Sequence, residues 1–222
     1  MKQSRIFFVC LLFLQCLSIA SFAQQRAPFF NEIETFKKQD LVNPPPKNGI
    51  VFVGSSSFNL WPKIQAYFPG YKIINRGFGG SSLPDVIRYA PDIIIPYKPK
   101  QVVIYCGEND FMADGVTAEI VLDRFTTLFE ILRENLPKTH ILFVSIKPSP
   151  SRLKYLPEMV KANSMIKDYL ENYRRTDYVD VYSKMLLADG TPMPEIFKSD
   201  KLHMNENGYA IWQKAIKPYL KK

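Results

Sequence analysis

Five short apolar runs punctuate the chain, at residues 50–53, 71–74, 102–105, 141–146 and 178–181. Most are apolar without alternation, and a run of that length with no polar face reads as a strand covered on both sides, the habit of a parallel sheet. Between the later runs the spacing changes to three and four. Val121, Phe125, Leu128, Phe129, Leu132 and Leu136 predict a helix over 117–136, with Thr117 at its cap and Glu119 in its first turn. Met159, Met165, Ile166, Tyr169, Leu170 and Tyr173 predict another over 157–173, and Tyr209, Trp212, Ala215, Ile216 and Tyr219 a closing helix over 206–219. Strand and helix alternate. That order predicts an α/β fold, a three-layer α/β/α sandwich around an open, about five-stranded parallel sheet, with its ligand site beyond the carboxyl ends of the strands.

Ahead of these elements, Phe29, Ile33 and Phe36 predict a helix over 29–40, and Pro44-Pro45-Pro46 must be extended, so residues 24–48 read as a helical arm and proline-rich linker in front of a domain over 49–222. The first 23 residues have a different character. Lys2 and Arg5 precede an apolar run from Ile6 to Leu17 broken only by Gln15, and Ser21 and Ala23 place small residues where a signal peptidase cuts. The run is shorter than the roughly 20 apolar residues of a spanning helix. Residues 1–23 are therefore expected to be a cleaved secretory signal, giving a secreted or periplasmic protein with no stable membrane insertion.

Composition adds bounds. At 222 residues, 46% hydrophobic and 23% charged, the chain is neither disordered nor a disulfide scaffold, and its length suits one domain. Without Lys2 and Arg5, 27 basic residues face 21 acidic ones, a net charge of +6, and the basic residues are scattered, which gives nucleic-acid binding no support. Cys10 and Cys16 leave with the signal. Cys106, at the end of an apolar run, is expected to be a small buried hydrophobe.

The carboxyl ends of the predicted strands carry the candidate chemistry. The first ends in Gly54-Ser55-Ser56-Ser57, which by itself suits a helix cap as well as a nucleophile. The second is followed by Asn75-Arg76-Gly77-Phe78-Gly79-Gly80-Ser81-Ser82, a turn whose amides can approach an anionic oxygen. It is a poor dinucleotide fingerprint, since Ser82 stands in place of the third glycine and the turn follows the second strand. The third ends in Gly107-Glu108-Asn109-Asp110. Of the two histidines, His140 opens the fourth strand at the edge away from the site, which leaves His203, three residues after Asp200 and just before the last helix.

Ser56, Gly80, Asn109 and Asp200-x-x-His203, in this order, resemble the SGNH hydrolases, the GDSL esterase and lipase family, over residues 50–209, closest to the bacterial branch related to platelet-activating-factor acetylhydrolase subunits. The resemblance implies a flavodoxin-like sheet. It implies Ser56 as nucleophile, Asp200 and His203 as the rest of a triad, and Ser56, Gly80 and Asn109 as oxyanion donors. The family's Gly-Asp-Ser is here Gly54-Ser55-Ser56, a departure at a position outside the triad. The expected activity is cofactor-free and metal-free hydrolysis of a small-molecule or carbohydrate ester, with a short acyl group such as acetyl. A lipase or lysophospholipase and a non-catalytic carbohydrate- or lipid-binding member of the fold are the alternatives. Trp61, Arg76, Phe111 and Arg152 flank the motifs and are candidates for substrate contact.

Overall fold

Every strand of the sheet is parallel. In the computed structural model, which describes residues 26–222, β1 (Ile50–Gly54), β2 (Ile73–Gly77), β3 (Gln101–Tyr105), β4 (His140–Val144) and β5 (Thr176–Val179) form one five-stranded sheet in the order β2-β1-β3-β4-β5. The register pairs Gly54 with Gly77 on one side and Tyr105 on the other, so three strand ends finish level. The chain leaves β1 toward one edge and returns beside it as β3 to build the other. A crevice opens where those directions diverge, at the carboxyl ends of β1 and β3.

The strands alternate between two cores. Ile50, Phe52, Val103, Tyr105, Leu142 and Val144 face a cluster completed by Phe58, Trp61, Phe68 and the closing helix α7 (Glu206–Ile216), whose Tyr209, Trp212 and Ile216 are buried there. On the other face lie α4 (Leu83–Ile93), α5 (Ala118–Asn135) and α6 (Leu156–Glu171), with Phe125 of α5 edge-on to Phe143 of β4 at 4.9 Å between ring centroids. Two short helices, α2 (Ser56–Asn59) and α3 (Ile64–Tyr67), follow β1 directly. Residues 31–222 form one unit. Its first helix, α1 (Phe30–Val42), buries Ile33 and sends Asp40 to Arg76.

Several expectations shift, among them β5, which occupies Thr176–Val179 instead of 178–181. β2 occupies Ile73–Gly77 instead of 71–74, so Asn75 and Arg76 belong to the strand and not to the glycine turn. Polar residues are tolerated there because each is bonded: Asn75 Nδ2 donates to the Phe58 carbonyl at 2.8 Å and Arg76 Nε to the Tyr97 hydroxyl at 2.8 Å. Thr117 does sit at the cap of α5, but its hydroxyl makes no capping bond; the Ala118 N–H donates to Glu158 of α6 at 2.7 Å. Helix α4 was not among the predicted helices, although its start is marked by a capping box, with Asp85 accepting from the Ser82 N–H and hydroxyl, and by Pro84 in the first turn.

The expected signal segment lies outside the described residues. No helix of the described residues is long and apolar enough to cross a membrane. Cys106 is buried, and burial followed by the nearby Asp110 charge pushes its thiol well above the ordinary range, so it stays protonated.

Candidate active site

The site begins with a glycine that nothing else can replace. Gly54 ends β1 at φ +138°, and a Cβ built on it would stand 1.8 Å from the Tyr105 carbonyl oxygen of the neighbouring strand. The chain can therefore turn hard at that point. Ser55 is buried, its N–H donating to the Tyr105 carbonyl at 3.1 Å while its own carbonyl accepts from Phe58 and Asn59. Backbone bonds thus hold the turn where the related family carries an aspartate. Of the three consecutive serines, Ser56 has its hydroxyl 3.0 Å from His203 Nε2.

His203 arrives on a tight hairpin. The Lys198 N–H donates to the His203 carbonyl at 2.7 Å, Phe197 and Met204 bridge antiparallel, and Lys201 adopts a left-handed φ of +56° at the tip. Asp200 shapes this turn with one oxygen, which accepts from the Leu202 and His203 N–H groups at 2.9 Å each. Its other oxygen is 2.7 Å from His203 Nδ1. A carboxylate only accepts, so Nδ1 carries the ring proton and Nε2 of the neutral ring is the acceptor facing Ser56. Burial alone raises the Asp200 carboxyl, but the bonds from the His203 ring and from the two backbone N–H groups outweigh it and hold it down at about 2. The carboxylate is accordingly ionised across the working range of an enzyme.

The second and third strand ends supply donors. Gly80 lies in the turn after β2 at φ +83°, beside open space, and Gly77 packs so closely on α2 that a Cβ would meet the Asn59 nitrogen at 2.4 Å. Asn109 Nδ2 donates to the Ser81 carbonyl at 3.0 Å. That bond uses one of two amide protons and fixes the plane of the other. Ser56, Gly80, Asn109 and His203 line one cleft of about 380 Å³ together with Asn59, Leu60 and Leu202.

The loop bearing Asn109 is pinned on both flanks. Asp110 accepts from the Leu83 N–H at the start of α4 at 3.0 Å and from Arg124 Nη1 at 2.8 Å. Glu108, buried, accepts from Lys147 Nζ at 2.9 and 2.8 Å, from the Ser149 hydroxyl at 2.8 Å and from the Tyr105 hydroxyl at 2.7 Å. These supports escaped the sequence reading, since nothing local links residues 108 and 147.

Of the flanking candidates, Arg152 lines the cleft. Trp61, Arg76 and Phe111 are not brought there. Trp61 is 2% exposed and stacks on Tyr209 at 4.9 Å in the aromatic core under the sheet. Arg76 is held by Asp40 and Tyr97 at the edge strand, and Phe111 is buried against Tyr155. In each case the residue adjoins a motif in sequence but its side chain points into packing. His140, at the far edge, pairs with Asp177 at 2.6 Å. Leu60, Asn59 and Leu202 line the cleft without having been singled out. Their one sequence signal is adjacency to Ser56 and His203.

Comparison with known proteins shows the family and the fold. The sequence matches the GDSL-like Lipase/Acylhydrolase family over residues 52–211. The fold is shared with a Streptococcus pneumonia protein provisionally described as a platelet activating factor, at 20% identity and TM-score 0.74, covering 95% of this chain and 99% of that one. It is shared too with a GDSL-like lipase from Bacteroides thetaiotaomicron, at 20% identity and TM-score 0.71, covering 84% and 96%. A catalytic mutant of an acetylxylan esterase from Geobacillus stearothermophilus matches at 17% identity and TM-score 0.63, covering 78% and 94%. No curated protein matches the sequence.

Proposed function

This chain belongs to the GDSL-like lipase/acylhydrolase family of ester-bond hydrolases, and on that premise we propose that it is a secreted serine esterase working through Ser56, His203 and Asp200 on esters of short acyl groups. The observation that carries the reading is the unbroken relay of 3.0 Å from Ser56 Oγ to His203 Nε2 and 2.7 Å from Nδ1 to Asp200. A serine hydroxyl is a weak nucleophile until a base removes its proton. His203 takes that proton as Ser56 Oγ attacks the ester carbonyl, and Asp200 stabilises the imidazolium that results. The backbone N–H groups of Ser56 and Gly80 and the second Asn109 amide proton meet the oxyanion. Collapse of the tetrahedral species expels the alcohol, which takes the proton from His203. Water, deprotonated by the same ring, then releases the acid from the acyl-enzyme.

A short acyl group is supported by the cleft, whose 380 Å³ lies at the small end of ligand sites and whose apolar lining includes Leu60 and Leu202. Acetylated carbohydrate as the substrate is supported by the likeness to the acetylxylan esterase. Export is supported by the sequence of residues 1–23.

A fluorophosphonate probe is expected to label the protein at Ser56, detected by peptide mass analysis; an unlabelled protein removes the nucleophile from the scheme. With nitrophenyl esters, kcat/KM should fall steeply beyond about four carbons, as expected of a pocket that discriminates by methylene groups. Flat or rising rates would assign the cleft to lipids instead. Asn109→Ala should lower kcat by about 10²–10³ with a much smaller change in KM, because the donor it removes acts on the oxyanion and not on the ground-state ester. Parallel losses in kcat and 1/KM would take Asn109 out of that role.

A further inference from the structure

One cation at the cleft has no counterpart among the described residues. Arg152 lines the same cavity as Ser56, Asn109 and His203, its Nε is shut off from solvent without a hydrogen-bond partner, and it pairs with no carboxylate among the described residues. Other cations close to the sheet are matched: Arg76 with Asp40, Arg124 with Asp110, Lys147 with Glu108. Arginine is always charged, and a guanidinium nitrogen withdrawn from water without an acceptor, on a half-buried side chain that lines a cleft, is a feature a fold retains for a reason.

The backbone that carries Arg152 is also held in place relative to the reacting groups. The Arg152 N–H donates to the Ser149 carbonyl at 2.9 Å, and the Ser149 hydroxyl donates to Glu108, the residue before Asn109, at 2.8 Å. The Ser151 N–H donates at 3.0 Å to the carbonyl of Lys201, in the turn between Asp200 and His203. Arg152 itself departs from the surrounding 3-10 conformation, at φ −119° and ψ 18°. Its backbone is thus tied to the loop of Asn109 and to the loop of His203 at once. Among the described residues no carboxylate lines the cleft to neutralise it; Asp200 stands behind the imidazole.

We propose that Arg152 is a specificity-determining residue that receives an anionic group of the substrate, so that the preferred ester is one whose alcohol carries a carboxylate or phosphate close to the acylated oxygen. This rests on the esterase reading above and narrows its substrate class. A planar guanidinium presents paired N–H groups that match the two oxygens of a carboxylate or phosphate, and a short acyl group has no room for such a charge, which places it on the alcohol side.

The test compares three acetyl esters at low salt: an acetylated methyl uronoside, acetyl glycerol phosphate, and a neutral acetylated methyl glucoside. The full mature protein is expected to favour one charged ester over the neutral one by about 10- to 100-fold in kcat/KM. Preference for the uronoside assigns acidic sugars, and preference for the phosphate ester assigns phosphorylated alcohols. In Arg152→Gln the ratio should fall to within about threefold of one, with Arg152→Lys between, since lysine keeps the charge but loses the fork. The same three esters are titrated calorimetrically into Ser56→Ala protein. Anionic preference in that binding without turnover of any ester by the unmutated protein would retain the Arg152 assignment and reject the esterase. Turnover with equal rates on charged and neutral esters, or a preference that Arg152→Gln leaves untouched, overturns the Arg152 assignment and leaves the esterase standing.

Discussion

Ser56→Ala is expected to lower kcat for a short activated ester by roughly a millionfold, the scale seen when a nucleophile acting as one unit with its base is deleted. The reason lies in how little else the hydroxyl does. Its hydrogen bond is to His203 Nε2 at 3.0 Å, while the turn around it is held by backbone bonds, among them the Leu60 N–H to the Ser56 carbonyl at 2.8 Å. The Asp200–His203 pair survives the change, as do Gly54 and the packing of Phe58. The thermal midpoint should accordingly move by no more than about 2 °C, as for a substitution away from core and caps. Because the serine and histidine work together, adding His203→Ala to Ser56→Ala should reduce the residual rate by less than about threefold. Initial rates with nitrophenyl acetate, together with a melting curve for each variant, check both parts. Residual activity above a tenth of the unmutated rate in Ser56→Ala would pass the nucleophile to another group. Loss of activity accompanied by a large drop in midpoint would show that the serine was structural.

The parts of this molecule that were legible in sequence are those whose physics is local or periodic. The central strands were the most visible because a strand covered on both faces has no polar side, and the continuous runs Ile50–Val53 and Val102–Tyr105 carry that mark. Where polar residues entered a strand the reading slipped: Asn75 and Arg76 look like turn residues until Phe58, Asp40 and Tyr97 are seen to bond them. The helix Leu83–Ile93 was hidden by Pro84 and Pro91, yet its buried Leu83, Val86, Tyr89, Ala90 and Ile93 keep the helical spacing, and its capping box was there to be found. Ser56, Asn109 and His203 were legible as a set through their order and their position at strand ends, and the structure brings them to one cleft. Burial was not. Trp61 follows the nucleophile closely enough to suggest ligand contact, but Tyr209 and Trp212, some 150 residues later, close over it and make it core. The support of Asn109 was equally out of view, since Glu108 and Lys147 are 39 positions apart and meet only when β3 and β4 lie side by side.

That pair makes the second large expectation: Lys147→Met should destabilise the protein by about 3–5 kcal/mol, the usual consequence of removing one partner from a buried ion pair. Lys147 is 1% and Glu108 4% exposed, so water cannot take over the bond that is lost. Methionine fills the same volume and rests against Phe197, whose ring centroid lies 5.7 Å from Lys147 Nζ, which confines the effect to charge. Glu108 would retain the hydroxyls of Ser149 and Tyr105 as donors, at 2.8 and 2.7 Å, but no cation. Neither donor will ionise, for burial and then the charge of Glu108 itself push the Tyr105 phenol well above its ordinary range. For a domain of this length the loss corresponds to a midpoint lower by about 6–20 °C. The double variant Lys147→Met/Glu108→Gln removes the orphaned charge; the two hydroxyls bond different carboxylate oxygens, so the amide oxygen accepts from one and the amide NH2 donates to the other, and the variant should recover most of the stability, to within about 2 kcal/mol of the unmutated protein. Chemical denaturation of the unmutated, single and double variants measures the coupling. A single variant as stable as the unmutated protein, or a double variant no better than the single, would mean that the two charges stabilise nothing together. A recovered double variant with normal melting but depressed kcat would locate the remaining function of the pair in holding Asn109, one residue beyond Glu108, against the Ser81 carbonyl.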